Sequence, residues 1–172
     1  VQNSIQEEKQ SNLEKKILVC FHTLKEGPPD TLTLLLDSVV KQHIVHSRQD
    51  VDLVIRVAAD MVASQASSQT LIHCATYIRR QLGNIIPEDH LPSVQGIYLG
   101  AQSFAIASQQ FTLAEEIDEW IEPVIQGEMN SVLRATNLVQ LYLATKRPRL
   151  ALQSVEAELA KHNVFVRFKP SI

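Results

Sequence analysis

Apolar residues recur three or four positions apart along nearly the whole chain, in segments separated by short polar breaks. This spacing places them on one face of an α-helix, whereas a half-buried strand would show strict alternation. Eight such segments follow one another in the sequence. Together with the small number of glycines, only five in 172 residues, the pattern predicts an all-α fold.

The breaks group these helices into pairs. The longest break runs from Gly83 to Pro92, and an earlier one covers residues 27–30. We therefore expect about four antiparallel helical hairpins, stacked as a short right-handed α-solenoid in a single domain. The predicted bounds within 1–172 are 5–46, 50–83, 93–126 and 129–162 for the hairpins, and 163–172 for an extended tail. Because the chain begins with Val1 rather than Met, we expect it to be part of a longer protein.

The second helices of the predicted hairpins share a register. Leu34, Cys74, Ala114 and Ala151 fall at comparable positions, 40, 40 and 37 residues apart. A period near 40 is typical of helix–turn–helix repeats. We expect Cys20, Cys74, Ala114 and Ala151 to be buried where helices meet. Two cysteines in apolar helical segments behave as small hydrophobes, which favours a reducing, intracellular compartment, either cytoplasm or nucleus.

No combination of residues typical of catalysis or of a cofactor site occurs in the sequence. His43 and His46 have a spacing compatible with metal binding, but no CxxC or HExxH pattern accompanies them. The acidic run 115–119 suits acid–base chemistry, and it equally suits a solvated helix face, which is the simpler interpretation. We therefore expect no catalytic residue, no cofactor and no bound metal, and we expect that the protein is not an enzyme. No apolar run is long enough to span a membrane, so we expect no membrane partner.

Charge is distributed unevenly in the second half of the chain. Residues 111–128 contain six acids and no Lys or Arg, whereas residues 129–172 contain seven bases and two acids. Neighbouring hairpins therefore carry opposite excess charge, −6 beside +5. Two interpretations are open and compatible: the hairpins contact each other across a charged seam, or the polarised surface orients a partner.

The basic residues of the last hairpin and tail are the candidate partner-binding residues. Arg147 and Arg149 flank Pro148 at a predicted turn, where we expect their side chains to reach solvent and to pack against little. Trp120, the only tryptophan, is either a core residue between hairpins or an exposed binding anchor. The predicted binding set is Lys146, Arg147, Arg149, Lys161, Arg167, Lys169 and Trp120.

The second half of the chain resembles the tetratricopeptide family of helical repeats. Phe111-Thr112-Leu113-Ala114 is similar to the aromatic-x-x-Ala opening of that family's second helix. Tyr142 and Ala151 resemble its Tyr and Ala, nine residues apart. The family's glycine before the second helix is Gln109 in one hairpin and Lys146 in the other, and the repeats here are longer. The resemblance implies an α-solenoid.

The expected function is that of a protein-interaction scaffold, which binds a peptide or helix of a partner protein. An acidic partner would complement the basic hairpin. A second hypothesis is an RNA- or other nucleic-acid-binding module. It would use the basic C-terminal hairpin for phosphates and Phe165 or Phe168 for base stacking. A third is an oligomerisation domain, in which a terminal hairpin stacks on a second copy of the chain.

Overall fold

A computed structural model describes Val40 and residues 48–64 and 69–162. This part of the chain forms six α-helices and no strand, so the all-α prediction is confirmed for it. The first predicted hairpin, apart from Val40, and the predicted tail lie outside the described residues, as do Cys20, His43 and His46. The helices are α1 (Arg48–Ala63), α2 (Gln69–Leu82), α3 (Leu91–Ala107), α4 (Phe111–Ile121), α5 (Glu128–Ala144) and α6 (Pro148–Lys161).

Helix α3 is the centre of the described structure. It contacts α1, α2, α4 and α5, and a helix surrounded in this way must be apolar on most of its circumference. Its sequence contains no charged residue, and Val94, Ile97 and Ala101 are fully buried. Gly100 allows a close approach to α2, because a Cβ at this position would lie 3.1 Å from Leu71 Cδ2.

Helices α3 and α5 end in the same way. After α3, the amide of Gln110 donates to the carbonyl of Ala105 at 2.8 Å; after α5, the amide of Arg147 donates to the carbonyl of Tyr142 at 2.7 Å. This six-to-one hydrogen bond belongs to the Schellman motif, which requires a left-handed residue just before the donor. Gln109 occupies that position with a φ of 63°.

Lys146 is the corresponding residue after α5, with a φ of 59°. Gln109 and Lys146 are also the positions where the tetratricopeptide resemblance places glycine. Left-handed φ is unfavourable for residues with a Cβ. Both turns therefore keep the backbone conformation of a glycine turn while carrying a larger side chain.

The pair α3–α4 and the pair α5–α6 have the same internal register. Helices α3 and α5 are both 17 residues long. They begin at residues 91 and 128, and α4 and α6 begin at residues 111 and 148, so both differences equal 37. Ala114 and Ala151 correspond in this register and both are buried. With Cys74, which is also buried, three of the four predicted contact positions are confirmed.

Replacing Gln109 by glycine should stabilise the protein. Gln109→Gly removes the left-handed strain of a residue with a Cβ, and we expect the free energy of unfolding to rise by about 0.5–1 kcal/mol. Urea unfolding followed by circular dichroism measures the change. Gln140→Gly is the matched control, because Gln140 is exposed within α5 and glycine should destabilise a helix interior there. Equal effects of both substitutions would contradict the expectation.

Candidate interaction surface

An ion pair joins the α3–α4 pair to the α5–α6 pair. Arg134 on α5 donates from Nε to Asp118 Oδ1 at 2.8 Å and from Nη2 to Asp118 Oδ2 at 3.0 Å. The two side chains are only 20% and 19% exposed. The hydrogen bonds to Asp118 raise the pKa of Arg134 above its ordinary value. This two-pronged geometry is the strongest form of a guanidinium–carboxylate contact.

A second ion pair lies at the turn between α5 and α6. Arg147 donates from Nη2 to Glu115 on α4 and from Nε to Thr145 Oγ1 at 2.9 Å. Its guanidinium carbon also lies 5.0 Å from the centre of the Tyr142 ring, within the range of a cation–π contact. The prediction that Arg147 packs against little is therefore wrong. The predicted charged seam between neighbouring helix pairs is present, built from these two ion pairs.

The remaining predicted bases do not gather into one patch. Lys146 and Arg149 are exposed at the turn before and at the start of α6. Lys161 is 61% exposed and lies 3.6 Å from Glu158, near the other end of α6. Arg149 and Lys161 are twelve positions apart on α6, a distance of about 18 Å along the axis. Arg167 and Lys169 lie outside the described residues.

Trp120 is a core residue. Its side chain on α4 is only 8% exposed. It packs edge-on against Tyr98 of α3, with 5.9 Å between ring centres and an interplanar angle of 61°. Burial raises the pKa of Tyr98 to about 12, so its hydroxyl remains protonated. Of the two interpretations of Trp120, burial in the core is confirmed, and the ring contacts the other helix of its own pair. A side chain buried to this degree is not available as a binding anchor.

A buried amide network, which the sequence interpretation missed, connects three helices. Gln102 of α3 is completely buried. It donates from Nε2 to the carbonyl of Ala114 on α4 at 3.1 Å, and its Oε1 accepts from Asn137 Nδ2 on α5 at 3.1 Å. Asn137 Nδ2 also lies 3.2 Å from the carbonyl oxygen of Leu99. The buried amide of Gln102 is thus satisfied from both neighbouring helices.

The same kind of contact recurs two turns earlier along both helices. Gln95 Oε1 accepts from Asn130 Nδ2 at 2.8 Å and from the backbone amide of Gln126 at 2.9 Å. Gln95 and Gln102 are seven residues apart on α3, as Asn130 and Asn137 are on α5. The only signal in the sequence was the seven-residue spacing of these amides on each helix. That spacing shows that the two amides share a helix face, but not which residues they bond.

Most of the exposed large hydrophobic side chains lie in the α5–α6 pair. Among the described residues eight such side chains are exposed, and seven belong to these two helices. They are Met129, Val132, Leu133, Leu143, Leu150, Leu152 and Val155. Val132, Leu150 and Val155 belong to the apolar helical pattern of the sequence, yet they are 40%, 37% and 38% exposed. Apolar periodicity therefore does not imply burial in these two helices.

Six apolar residues of this pair form two helical stripes. Val132, Val139 and Leu143 recur at seven- and four-residue spacing on α5, and Leu152, Val155 and Leu159 recur at three- and four-residue spacing on α6. We call these six residues the terminal apolar face. All are exposed or half-buried. In the α3–α4 pair, four of the positions that correspond to this face at the 37-residue offset contact α5 or the turn after it. They are Gln95, Gln102, Glu115 and Asp118.

Two further features, a metal-binding group and a membrane-spanning helix, are absent from the described ranges. No three His, Cys, Asp or Glu residues come together there as a group that could hold a metal ion. None of the helices in the same ranges combines the length and apolar character needed to cross a bilayer.

Comparisons with known proteins assign no family. No protein-family model, curated protein or solved structure matches this chain. The proposed function therefore depends on the geometry and chemistry of the surface itself.

The two ion pairs of the seam should differ in strength. A double-mutant cycle with Arg134→Ala and Asp118→Ala should give a coupling energy of about 1–3 kcal/mol, because both groups are mostly buried and doubly hydrogen-bonded. The equivalent cycle for Arg147 and Glu115, which are 38% and 44% exposed, should give about 1 kcal/mol or less. Urea unfolding measures both cycles. Arg149→Ala is the control for loss of a surface charge, and it should change stability by less than either arginine substitution.

Glu158 should contribute stability that disappears in acid. Burial acts to raise the pKa of Glu158, but hydrogen bonds from His162 and Ser131 and the charge of Lys161 bring it below 4.5. Because the pKa is lower in the folded state, this stabilisation is fully present above the unfolded-state value near 4.5. It is lost as pH falls through the folded-state pKa.

The test is Glu158→Gln, which should cost about 1 kcal/mol at pH 7. The difference from the parent should shrink as pH falls below about 4.5. Urea unfolding at several pH values gives the profile. Glu156→Gln, an exposed position on the same helix, should show no such trend. A constant cost of Glu158→Gln over the whole pH range would contradict this role of the Glu158 carboxylate. His162, which bonds Glu158, also lies 3.2 Å from Glu128.

Proposed function

We propose that this chain is a non-catalytic interaction scaffold, a short right-handed α-solenoid of helical hairpins that binds a helix of a partner protein. The order of helix contacts supports the solenoid. Each described helix contacts the next one in sequence, and α3 also contacts α1 and α5, the helices two positions away on either side. Stacked helical hairpins produce this pattern, because each repeat meets only its neighbours.

The terminal apolar face is the observation that carries the proposal. Soluble proteins rarely leave a contiguous apolar surface uncovered unless it binds something. Val132, Leu143, Leu152 and Val155 are all exposed, and they lie in two adjacent helices that pack against each other. Covering them would release water from apolar surface, at about 25 cal/mol for each Å² buried. The face therefore supplies a driving force for association.

The basic residues support a nucleic-acid partner less well. Arg147 is already paired with Glu115, and Lys161 lies near Glu158 at the far end of α6 from Arg149. A phosphate-binding surface needs several unpaired cations that follow one backbone. Lys146 and Arg149 are exposed at the start of α6, and we expect them to act as rim charges, which mainly affect the association rate.

A single charge in the apolar face tests the proposal. Val155→Asp should weaken binding of the partner by tenfold or more, since burying an unpaired carboxylate costs well above 1.4 kcal/mol. The partner is identified by crosslinking and mass spectrometry, and its affinity is then measured with purified proteins. Gln153→Asp is the matched control, because Gln153 is exposed two residues away on a different side of α6.

Three results would argue against the proposal. Equal affinity of both variants would remove the face from the binding site. Binding of RNA with a steep dependence on salt would favour the nucleic-acid hypothesis. Concentration-dependent dimers of the parent, absent in Val155→Asp, would show that the face serves self-association instead.

A further inference from the structure

The α3–α4 pair shows how this chain holds a helix. Helix α5 lies against it with four positions turned inward, spaced i, i+4, i+7 and i+11. Three of them are polar and are bonded to α3 or α4, and the fourth is fully buried: Asn130 to Gln95, Arg134 to Asp118, Asn137 to Gln102, and buried Leu141. The surface of the α3–α4 pair that receives α5, which we call the receiving surface, is polar at three of these contacts, and the α5 residues that meet it there are polar as well.

The same receiving surface occurs again 37 residues later with a different chemistry. Gln95 and Gln102 correspond to Val132 and Val139, and Asp118 corresponds to Val155. The terminal apolar face is thus the continuation of an interface that the chain already uses, with its hydrogen-bonding groups replaced by aliphatic side chains. The equivalence rests on two turns with the same hydrogen bonds and on two 17-residue helices in the same register.

We infer that the terminal apolar face binds one amphipathic α-helix of a partner protein, held as the α3–α4 pair holds α5, with aliphatic residues at i, i+4, i+7 and i+11. The inference rests on the proposed function and names the chemistry of the partner. A helix with the α5 pattern is rejected, because its Asn and Arg groups would be buried against Val132, Val139 and Val155 without hydrogen-bond partners. A helix with four leucines at these positions fits the surface.

Two synthetic peptides test this specificity on the full chain. Both have 17 residues, the length of α5, in a soluble Ala/Glu/Lys background that favours helix. The first carries leucine at positions 3, 7, 10 and 14, which correspond to residues 130, 134, 137 and 141. The second carries Asn, Arg, Asn and Leu there, as α5 does. The leucine peptide should bind at least about tenfold more tightly, measured by fluorescence anisotropy.

Two neighbouring substitutions on α6 locate the binding site. Leu152→Glu introduces the acidic residue found at the equivalent position of the α3–α4 pair, Glu115. This substitution should weaken binding of the leucine peptide by about tenfold or more. Leu150→Glu is the matched control, because Leu150 is also exposed but projects from a different side of the helix. It should leave the affinity within about twofold. Both residues are at the surface, and thermal melts verify that the variants fold.

The possible outcomes separate the candidate occupants. Binding that appears only after deletion of residues 163–172 would mean that the chain's own C-terminal segment covers the face, and it would overturn the inference. Binding that appears only on dilution of a dimer would assign the face to a second copy, with the same consequence. Equal affinity for the two peptides would refute the inferred preference for aliphatic residues. An equal loss of affinity in Leu150→Glu and Leu152→Glu would refute the inferred location of the binding site. If Val155→Asp nevertheless abolished partner binding, the proposed function would stand without this inference.

Discussion

The arrangement of α3, α4 and α5 depends on one buried amide. Gln102 has no access to solvent, and an unsatisfied amide in that position would cost about 1–3 kcal/mol. Its donor is used by the carbonyl of Ala114 and its acceptor by Asn137. Moving α5 along α3 by one residue would break the second bond and deprive Gln102 Oε1 and Asn137 Nδ2 of each other. Hydrogen bonding thus helps to specify the register between neighbouring helix pairs, in addition to apolar packing.

The uneven charge of the sequence is explained by the same interface. Asp118 and Glu115 of α4 meet Arg134 and Arg147 from the next helix pair, so part of the acidic and basic excess is internal. The sequence pattern left open both a charged seam and a polarised surface for a partner, and two of the six acids of residues 111–128 do pair with two of the seven bases of residues 129–172.

Periodicity in the sequence was sufficient to predict the all-α class and the burial of Cys74, Ala114 and Ala151, because these depend on local spacing. It could not predict which apolar stripes would be covered. Val155 occupies a helical stripe like any core residue, and its 38% exposure depends on which other elements pack against α6. The amide contacts were missed for a related reason: Gln102 and Asn137 are 35 residues apart, and no local signal links them.

The two versions of the receiving surface differ in a way that suits the thermodynamics of the docking of α5 and of the proposed binding of a partner. Helix α5 is tethered to the α3–α4 pair by a short link, so its docking is intramolecular and loses little translational freedom. Polar contacts, which specify register but add little net free energy, therefore act there together with the buried side chain of Leu141. A separate partner must overcome an association cost of roughly 4–15 kcal/mol. Aliphatic residues at Val132, Val139, Leu152 and Val155 would supply the burial that such a partner needs. The change from amide and carboxylate to valine and leucine is therefore what the proposed binding of another molecule would require.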